Sequence, residues 1–200
     1  MIKNVIFDVG KVLVAFAWRE VFGELGIEGD AVDIVADATV RSPEWNEFDR
    51  GVIPEEELLE AFIAHAPQYE DKIRGLYDNL GRTIRRYDYS RSWIRGLEAA
   101  GYRTYLLSNF PHRMYQQARE ELSFTEDVSG AVFSYTVKTV KPEPEIYEIL
   151  LKRYDLKAKE CVFLDDREEN LETARKLGMQ TILFASYEQA AEELRRMGVE

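Results

Sequence analysis

Cysteine and histidine are nearly absent from this chain, which has one of the first and two of the second among its 200 residues. Because Cys161 has no second cysteine to pair with, an intramolecular disulfide is excluded. It begins the apolar run CVFL and is predicted to be a small buried side chain. His65 and His112 have no partner at the spacing of metal ligands, so a metal centre built from histidine or cysteine is excluded.

Long apolar runs and clusters of basic residues are missing as well. No apolar run approaches the roughly 20 residues of a membrane span. The first residues lack the charged region and long apolar region of a signal peptide. The net charge is −11, and the arginine pairs at 85–86 and 195–196 are too short to hold a nucleic-acid backbone. We therefore expect a cytoplasmic protein with no nucleic-acid partner and no membrane partner.

The apolar residues, 46% of the chain, follow two different rhythms. Residues 2–8 form a short run rich in β-branched side chains, which predicts a buried strand. From about Phe16 to Arg86 the apolar residues recur every three or four positions, which predicts helices with no strand between them. After Tyr87 strand-like and helix-like segments alternate, as is typical of a parallel sheet covered by helices. The segment AVFSYTV at 131–137 is predicted to be one of these strands.

The predicted architecture is an α/β fold. A doubly wound parallel sheet is formed by residues 1–14 and 88–200, and a helical cap at 15–87 is inserted after the first strand. In such sheets ligands bind beyond the carboxyl ends of the strands. Alone, each polar residue at these ends is more typical of a turn or a helix cap, but the fold brings them all to one edge. These residues are Asp8, Ser108, Asn109, Lys141, Asp165 and Asp166.

This set of side chains is suited to phosphate chemistry. Two carboxylates from different strands can bind Mg²⁺, with water and phosphate oxygens filling the other positions. A lysine supplies positive charge for a phosphate and keeps crowded carboxylates ionised. A serine and the N–H groups at a helix start can hold further phosphate oxygens. A carboxylate can itself attack phosphorus and form an aspartyl-phosphate.

Four segments, in chain order, resemble the motifs of the haloacid dehalogenase-like superfamily of hydrolases, in its phosphatase branch with a helical cap. They are VIFDVGKVLV, LLSN, VKPEPEIYEILL and VFLDDREENLETARKLGM. The resemblance extends over essentially the whole chain. It implies a Rossmann-like core, a Mg²⁺ cofactor and a small phosphorylated substrate.

The resemblance also implies roles for individual residues near the metal. Asp8 is the implied nucleophile, and it binds Mg²⁺ together with Asp166 and the backbone carbonyl of Gly10. Asp165 is the implied partner of Lys141 or of the water molecules on the metal.

The remaining implied roles concern the phosphate. Ser108 binds the phosphoryl group, Asn109 helps to bind substrate or phosphate, and Lys141 steadies both the phosphate and the nucleophile.

The first motif departs from the usual pattern of the family. Typical phosphatases of the family have an acid–base aspartate two residues after the nucleophile, where this chain has Gly10. The chain most resembles a branch with an FDxGNVL-type motif that includes sugar-phosphate phosphatases. Even there, Lys11 replaces a usual asparagine, and Ala15 and Ala17 stand where acidic residues are common. Loss of a general acid costs about 10²–10⁴-fold in rate, so we expect rates that depend steeply on the leaving group, with His112 as a candidate substitute.

Three functions remain open from the sequence. The first is a Mg²⁺-dependent phosphatase of small phosphorylated metabolites, sugar phosphates among them. The second is a dehalogenase, against which Asp165 and Asp166 count. The third is a catalytically weak binding or regulatory protein, against which Asp8, Lys141 and Asp166 count. The sequence identifies neither the substrate nor the oligomeric state.

Three residues of the predicted cap are candidates for substrate contact. Trp45 and Phe48 are aromatic residues at helical spacing, and core packing is the more typical fate of such side chains. Arg50 is predicted to be a surface residue or one that supports the structure of the cap.

Overall fold

The main sheet has five parallel strands in the order β5-β4-β1-β6-β7 in the computed structural model, which describes residues 1–199. The strands of the protein are β1 (Asn4–Phe7), β2 (Val14–Phe16), β3 (Ile84–Arg86), β4 (Arg103–Ser108), β5 (Gly130–Phe133), β6 (Cys161–Asp165) and β7 (Gln180–Leu183). The central strand β1 pairs with β4 on one side and with β6 on the other. The predicted doubly wound parallel sheet is therefore confirmed.

Helices cover both faces of this sheet. Those that follow β3 in the chain are α6 (Tyr89–Ala99), α7 (His112–Gln117), α8 (Ser134–Val137), α9 (Pro144–Arg153), α10 (Glu168–Lys176) and α11 (Tyr187–Arg196). Neighbouring strand residues point to opposite faces, as the period of two requires. Ile6 belongs to a buried cluster with Leu150 of α9 and Leu171 of α10. Phe7 belongs to the opposite cluster, with Trp93 of α6 and Leu194 of α11.

Residues 15–87, which we call the cap segment, contain five helices between β2 and β3. They are α1 (Trp18–Glu24), α2 (Ala31–Ala38), α3 (Glu44–Arg50), α4 (Glu55–His65) and α5 (Glu70–Asp78). Both ends of the cap segment meet in a small antiparallel ribbon, where Val14 pairs with Arg86 and Phe16 with Ile84. The exact boundaries of core and cap remain a prediction.

Two secondary-structure predictions are wrong. The region from Phe16 to Arg86 is not purely helical, because β2 and β3 lie at its ends. Each of these strands has only three residues, which are too few to show the alternation of a strand in the sequence. The segment at 131–137 is a strand only as far as Phe133. There Ser134 turns inward and bonds to the Phe110 amide, and this tertiary contact overrides the strand preference of the side chains that follow.

Among residues 1–199, none of the helices is long and apolar enough to cross a membrane.

Candidate active site

The carboxyl ends of the three central strands bring the predicted site residues together. Asp8 follows β1 directly, while Ser108 and Asp165 are the last residues of β4 and β6. Lys141 lies in the loop before α9, and its Nζ is 2.9 Å from Asp8 Oδ1 and 2.6 Å from Asp165 Oδ2. The Lys141 and Asp165 side chains are only 1% and 0% exposed. A buried ammonium group therefore joins two carboxylates from different strands.

Asp8 is held through one of its two oxygens. Ser108 Oγ donates a hydrogen bond to Asp8 Oδ1 at 2.8 Å, and the Val9 amide donates to the same oxygen at 2.6 Å. Together with Lys141, this places three donors on Oδ1. Among residues 1–199 no donor is assigned to Oδ2, which is left for a substrate or a metal.

The charges of the site offset one another. Burial raises the pKa of Asp8 to about 6, and the neighbouring Lys141 opposes this rise. Burial alone would lower the pKa of Lys141, but its attraction to Asp165 and Asp8 prevails and raises that pKa. Lys141 is therefore charged and stabilises the ionised form of the carboxylate that points into the cavity.

Asp165 is surrounded by donors on both oxygens. Lys141 donates to Oδ2, Asn170 Nδ2 lies 2.9 and 3.0 Å from the two oxygens, and the Arg167 amide donates to Oδ1 at 2.8 Å. The resemblance implied that Asp165 is a partner of Lys141 or of the water molecules on the metal, and the structure brings Asp165 and Lys141 together. Asn170 was not predicted from the sequence.

Oxygen atoms of Asp8, Asp165 and Asp166 all lie within 4.8 Å of one another. Such hard, charged oxygen donors are the kind that Mg²⁺ prefers, so the residues fit the predicted metal. Asp166 Oδ2 is 3.0 Å from Lys11 Nζ. The Lys11 side chain is 64% exposed, so it is free to leave Asp166 when a cation binds there.

Asn109 bonds to the backbone of Lys141. Its Oδ1 accepts a hydrogen bond from the Lys141 amide at 2.7 Å, and its Nδ2 donates to the Lys141 carbonyl at 2.9 Å. Both polar ends of the side chain thus fix the loop that carries Lys141. Phosphate binding by Asn109, as the resemblance implies, remains a prediction.

A cavity of about 650 Å³ opens above Asp8. Its floor includes Gly10, Lys141 and Asp166, and the cap segment covers it. The residues that the cap segment contributes are Phe16, Val40, Arg41, Ser42, Trp45, Asn46, Asp49 and Ile84. His112 is not among the lining residues, because it lies in a separate surface cavity and packs against Tyr135 with 4.9 Å between ring centroids.

Asp49 lines the cavity but was not predicted from the sequence. Its two neighbours in the chain, Phe48 and Arg50, have structural roles. Phe48 is 4% exposed and belongs to the core, as predicted. Arg50 forms a forked ion pair with Glu143 of the core, at 2.7 and 2.6 Å, so its structural role is also as predicted. Trp45 packs against Phe48 but also lines the cavity. Only the placement of α3 over the sheet distinguishes Asp49 from an ordinary surface carboxylate.

The sequence between residues 2 and 178 matches the family model of the haloacid dehalogenase-like hydrolases. The chain belongs to this family. The haloacid dehalogenase-like resemblance of the four motifs is therefore confirmed, as is the expectation of an enzyme.

Two curated relatives of this haloacid dehalogenase-like hydrolase are similar over nearly their whole length. Sesquiterpene phosphatase astK of Aspergillus oryzae is 26% identical over 196 residues, which cover 98% of this chain and 96% of that protein. D-ribitol-5-phosphate phosphatase of Bacteroides thetaiotaomicron is 27% identical over 204 residues, and the match covers 90% of this chain and 91% of that protein.

The solved structures agree with the haloacid dehalogenase-like fold. A family enzyme from Bacteroides thetaiotaomicron, determined in complex with magnesium and inorganic phosphate, has a TM-score of 0.74 to this chain. The two are 21% identical, and the match covers 95% of this chain and 99% of that one. At this identity the likeness establishes the fold.

Proposed function

We propose that this protein is a Mg²⁺-dependent phosphatase that hydrolyses small phosphorylated molecules through an aspartyl-phosphate on Asp8. The observation that carries the proposal is the arrangement around Asp8. One oxygen is held by Lys141, Ser108 and the Val9 amide, the other has no donor among residues 1–199, and Asp8 lines a cavity together with Asp166. The names of the two curated relatives support phosphate esters as the substrates.

The reaction proceeds in two displacements. Asp8 Oδ2 attacks phosphorus, the bond from phosphorus to the leaving oxygen breaks, and its electron pair stays on that oxygen. Water then attacks the phosphoryl group on Asp8, which releases inorganic phosphate and restores the carboxylate. Lys141 and Ser108 both contact Asp8 and can donate to the oxygens of the transferred group. Mg²⁺, when bound by Asp8, Asp166 and the Gly10 carbonyl, would offset the repulsion between carboxylates and phosphate.

Asp165 and Asn109 support this chemistry indirectly. Asp165 fixes the ammonium group of Lys141 at 2.6 Å, and Asn109 fixes the backbone of the same residue. Both therefore act by orienting Lys141 toward Asp8.

Hydrolysis of p-nitrophenyl phosphate is expected to require Mg²⁺ and to stop when the metal is removed with excess chelator. Asp166→Ala is expected to raise the Mg²⁺ concentration for half-maximal activity by about tenfold or more, because one of the few carboxylates that Mg²⁺ uses is lost. Isothermal titration with Mg²⁺ in the absence of substrate should show the same weakening. Asp71→Ala, at an exposed carboxylate of α5, is the matched control.

The same assay separates the alternative functions. Full activity in excess chelator, with halide released from a 2-halo acid, would replace the phosphatase by a dehalogenase. Failure to hydrolyse any phosphate ester, with Mg²⁺ still bound, would indicate a binding or regulatory protein.

The lining of the cavity favours a substrate with an apolar or aromatic part. The apolar lining includes Phe16, Val40, Trp45 and Ile84 of the cap segment together with Phe110 and Met114 of the core. Aryl or prenyl phosphates are therefore expected to have a higher kcat/KM than sugar phosphates such as ribitol 5-phosphate. Trp45→Ala should lower kcat/KM for the apolar esters by about 10–200-fold, the usual effect of changed contacts in an apolar pocket.

Trp18→Ala is the control for this prediction, since Trp18 lies in the cap segment but does not line the cavity. A preference for sugar phosphates that Trp45→Ala leaves unchanged would contradict the prediction and restore the substrate class that the sequence suggested.

A further inference from the structure

We propose that Asp49, which the cap segment places over Asp8, is the general acid and base that this enzyme lacks at Gly10. The inference rests on the proposed phosphatase function and adds a catalytic residue to it. Asp49 protonates the leaving oxygen in the first displacement and activates water in the second.

The position of Asp49 is the first argument. It lies at the end of α3 and lines the same cavity as Asp8, Gly10 and Asp166. Its carboxyl group has no hydrogen-bond partner among residues 1–199, unlike that of Asp8 or Asp165. An unpartnered carboxyl group on the roof of the cavity is available to the oxygen of a bound ester.

The rigidity of this position is the second argument. The Asp49 carbonyl accepts a hydrogen bond from Ser134 Oγ, and the next carbonyl but one, that of Gly51, accepts from Lys138 Nζ. Between them Arg50 forms its forked bond to Glu143, at 2.7 and 2.6 Å. The hydrogen bonds from Arg50 lower the pKa of Glu143 to about 2, so this contact stays ionised at neutral pH. Three successive residues at the end of α3 and directly after it are thus fixed to the core.

The empty space at Gly10 is the third argument. A Cβ atom built on Gly10 would have no heavy atom within 4 Å apart from its chain neighbours, so there is open space at the first atom of the missing side chain. The basic residues of the lining are poorer candidates, since Lys11 is paired with Asp166 at 3.0 Å. Lys141 is bound to Asp8 and Asp165, and arginine does not release its proton at neutral pH.

The protonation state of Asp49 is suited to an acid. Burial and the nearby negative charge of Asp8 raise the pKa of Asp49 to about 8, against the opposing effects of Lys141 and Arg167. This shift favours the protonated form of Asp49 near neutral pH, whereas an ordinary aspartate is ionised there. A catalytic acid works best when its pKa lies near the working pH.

The proton transfers balance over one turnover. As Asp8 Oδ2 bonds to phosphorus, the leaving oxygen takes its bonding electron pair and the proton of Asp49, and an alcohol departs. Asp49 is now a carboxylate. It removes a proton from the water that attacks phosphorus, the bond between phosphorus and Asp8 breaks, and inorganic phosphate leaves. Asp49 has regained its proton for the next substrate.

The test is the leaving-group dependence of Asp49→Asn. An alkoxide needs a proton to leave, whereas p-nitrophenolate does not. In single-turnover experiments with Mg²⁺, Asp49→Asn should therefore slow phosphoryl transfer from an alkyl phosphate by about 10²-fold more than transfer from p-nitrophenyl phosphate. With p-nitrophenyl phosphate the variant should release a burst of p-nitrophenol followed by a slow phase, because water attack has lost its base. The natural enzyme should show a shallow dependence, in contrast to the steep one expected from the sequence alone.

Three further variants keep the test decisive. Asp49→Glu retains an acid and should keep part of the alkyl phosphate activity. Gly10→Asp combined with Asp49→Asn should recover at least about tenfold of the lost alkyl phosphate rate, since the space at Gly10 admits a side chain. Asp71→Asn makes the same chemical change at an exposed site of the cap segment and should leave the rate with both substrates unchanged.

Two results would overturn the proposal. If Asp49→Asn lowered the rate equally with both substrates, Asp49 would have a role in substrate binding or in cap structure. If it lowered the rate with neither, Asp49 would take no part in the reaction. If the natural protein hydrolyses no phosphate ester at all, the proposed function fails, and the role of Asp49 fails with it. If the natural enzyme is active and Asp49→Asn does not change its rates, only the acid–base role is rejected and the phosphatase function stands.

Discussion

Asp8→Asn is expected to lower the hydrolysis of all phosphate esters by about 10³-fold or more, as when other enzymes lose their covalent nucleophile. An amide does not attack phosphorus as a carboxylate does, and it is a weaker ligand for Mg²⁺. The fold should be retained, because Lys141 keeps Asp165 as its second ionic partner. The measurement is kcat with p-nitrophenyl phosphate, combined with mass spectrometry of the natural enzyme quenched during turnover. A phosphoryl group should be found on the peptide that contains Asp8.

The variant needs its own control, because asparagine can deamidate to aspartate. Intact-mass analysis of freshly purified Asp8→Asn excludes this, and an unchanged thermal transition excludes loss of the fold. Near-normal turnover by such a sample would show that another group is the nucleophile.

Lys141→Met is expected to destabilise the protein by about 3–5 kcal/mol and to abolish activity. Methionine has a similar length, but it leaves the buried carboxylates of Asp8 and Asp165 without their counter-charge, and removal of one partner from a buried ion pair has about this cost. The free energy of unfolding from urea titration at neutral pH gives the first quantity. Hydrolysis of p-nitrophenyl phosphate gives the second.

Lys152→Met provides the matched control, since Lys152 is an exposed residue of α9. Its effect on stability should stay within about 0.5 kcal/mol, as for most surface substitutions. A Lys141→Met protein as stable as this control would show that the buried carboxylates do not depend on the lysine.

Part of the floor of the site could be predicted from the sequence because three of the site residues each end an apolar run. Asp8, Ser108 and Asp165 each close a buried strand, and parallel strands bring their carboxyl ends to one edge whatever surrounds them. The order of strands and helices after Tyr87 was readable for a similar reason, since the two periodicities differ.

The roof of the site could not be predicted in this way. Asp49 is followed by Arg50 and Gly51, a local pattern that fits any exposed helix end. Its position depends on contacts between distant parts of the chain, such as the bond between Arg50 and Glu143, which are separated by 93 positions. A contact of this kind leaves no periodic trace. The same reason applies to Asn109, whose bonds to Lys141 depend on how two loops meet.

Because β2 and β3 pair with each other, the cap segment is an insertion that could be exchanged as a unit, a cassette in the sense of protein engineering. Because Val14 and Arg86 are paired neighbours, the insertion begins and ends at the same point of the core. A graft of different length at these strands leaves the connections of the main sheet unchanged. Yet Asp49 belongs to the cassette, so a transplanted cap exchanges the proton donor along with the walls of the pocket. In this enzyme one inserted segment therefore carries both the residues that select the substrate and the residue proposed to transfer the proton.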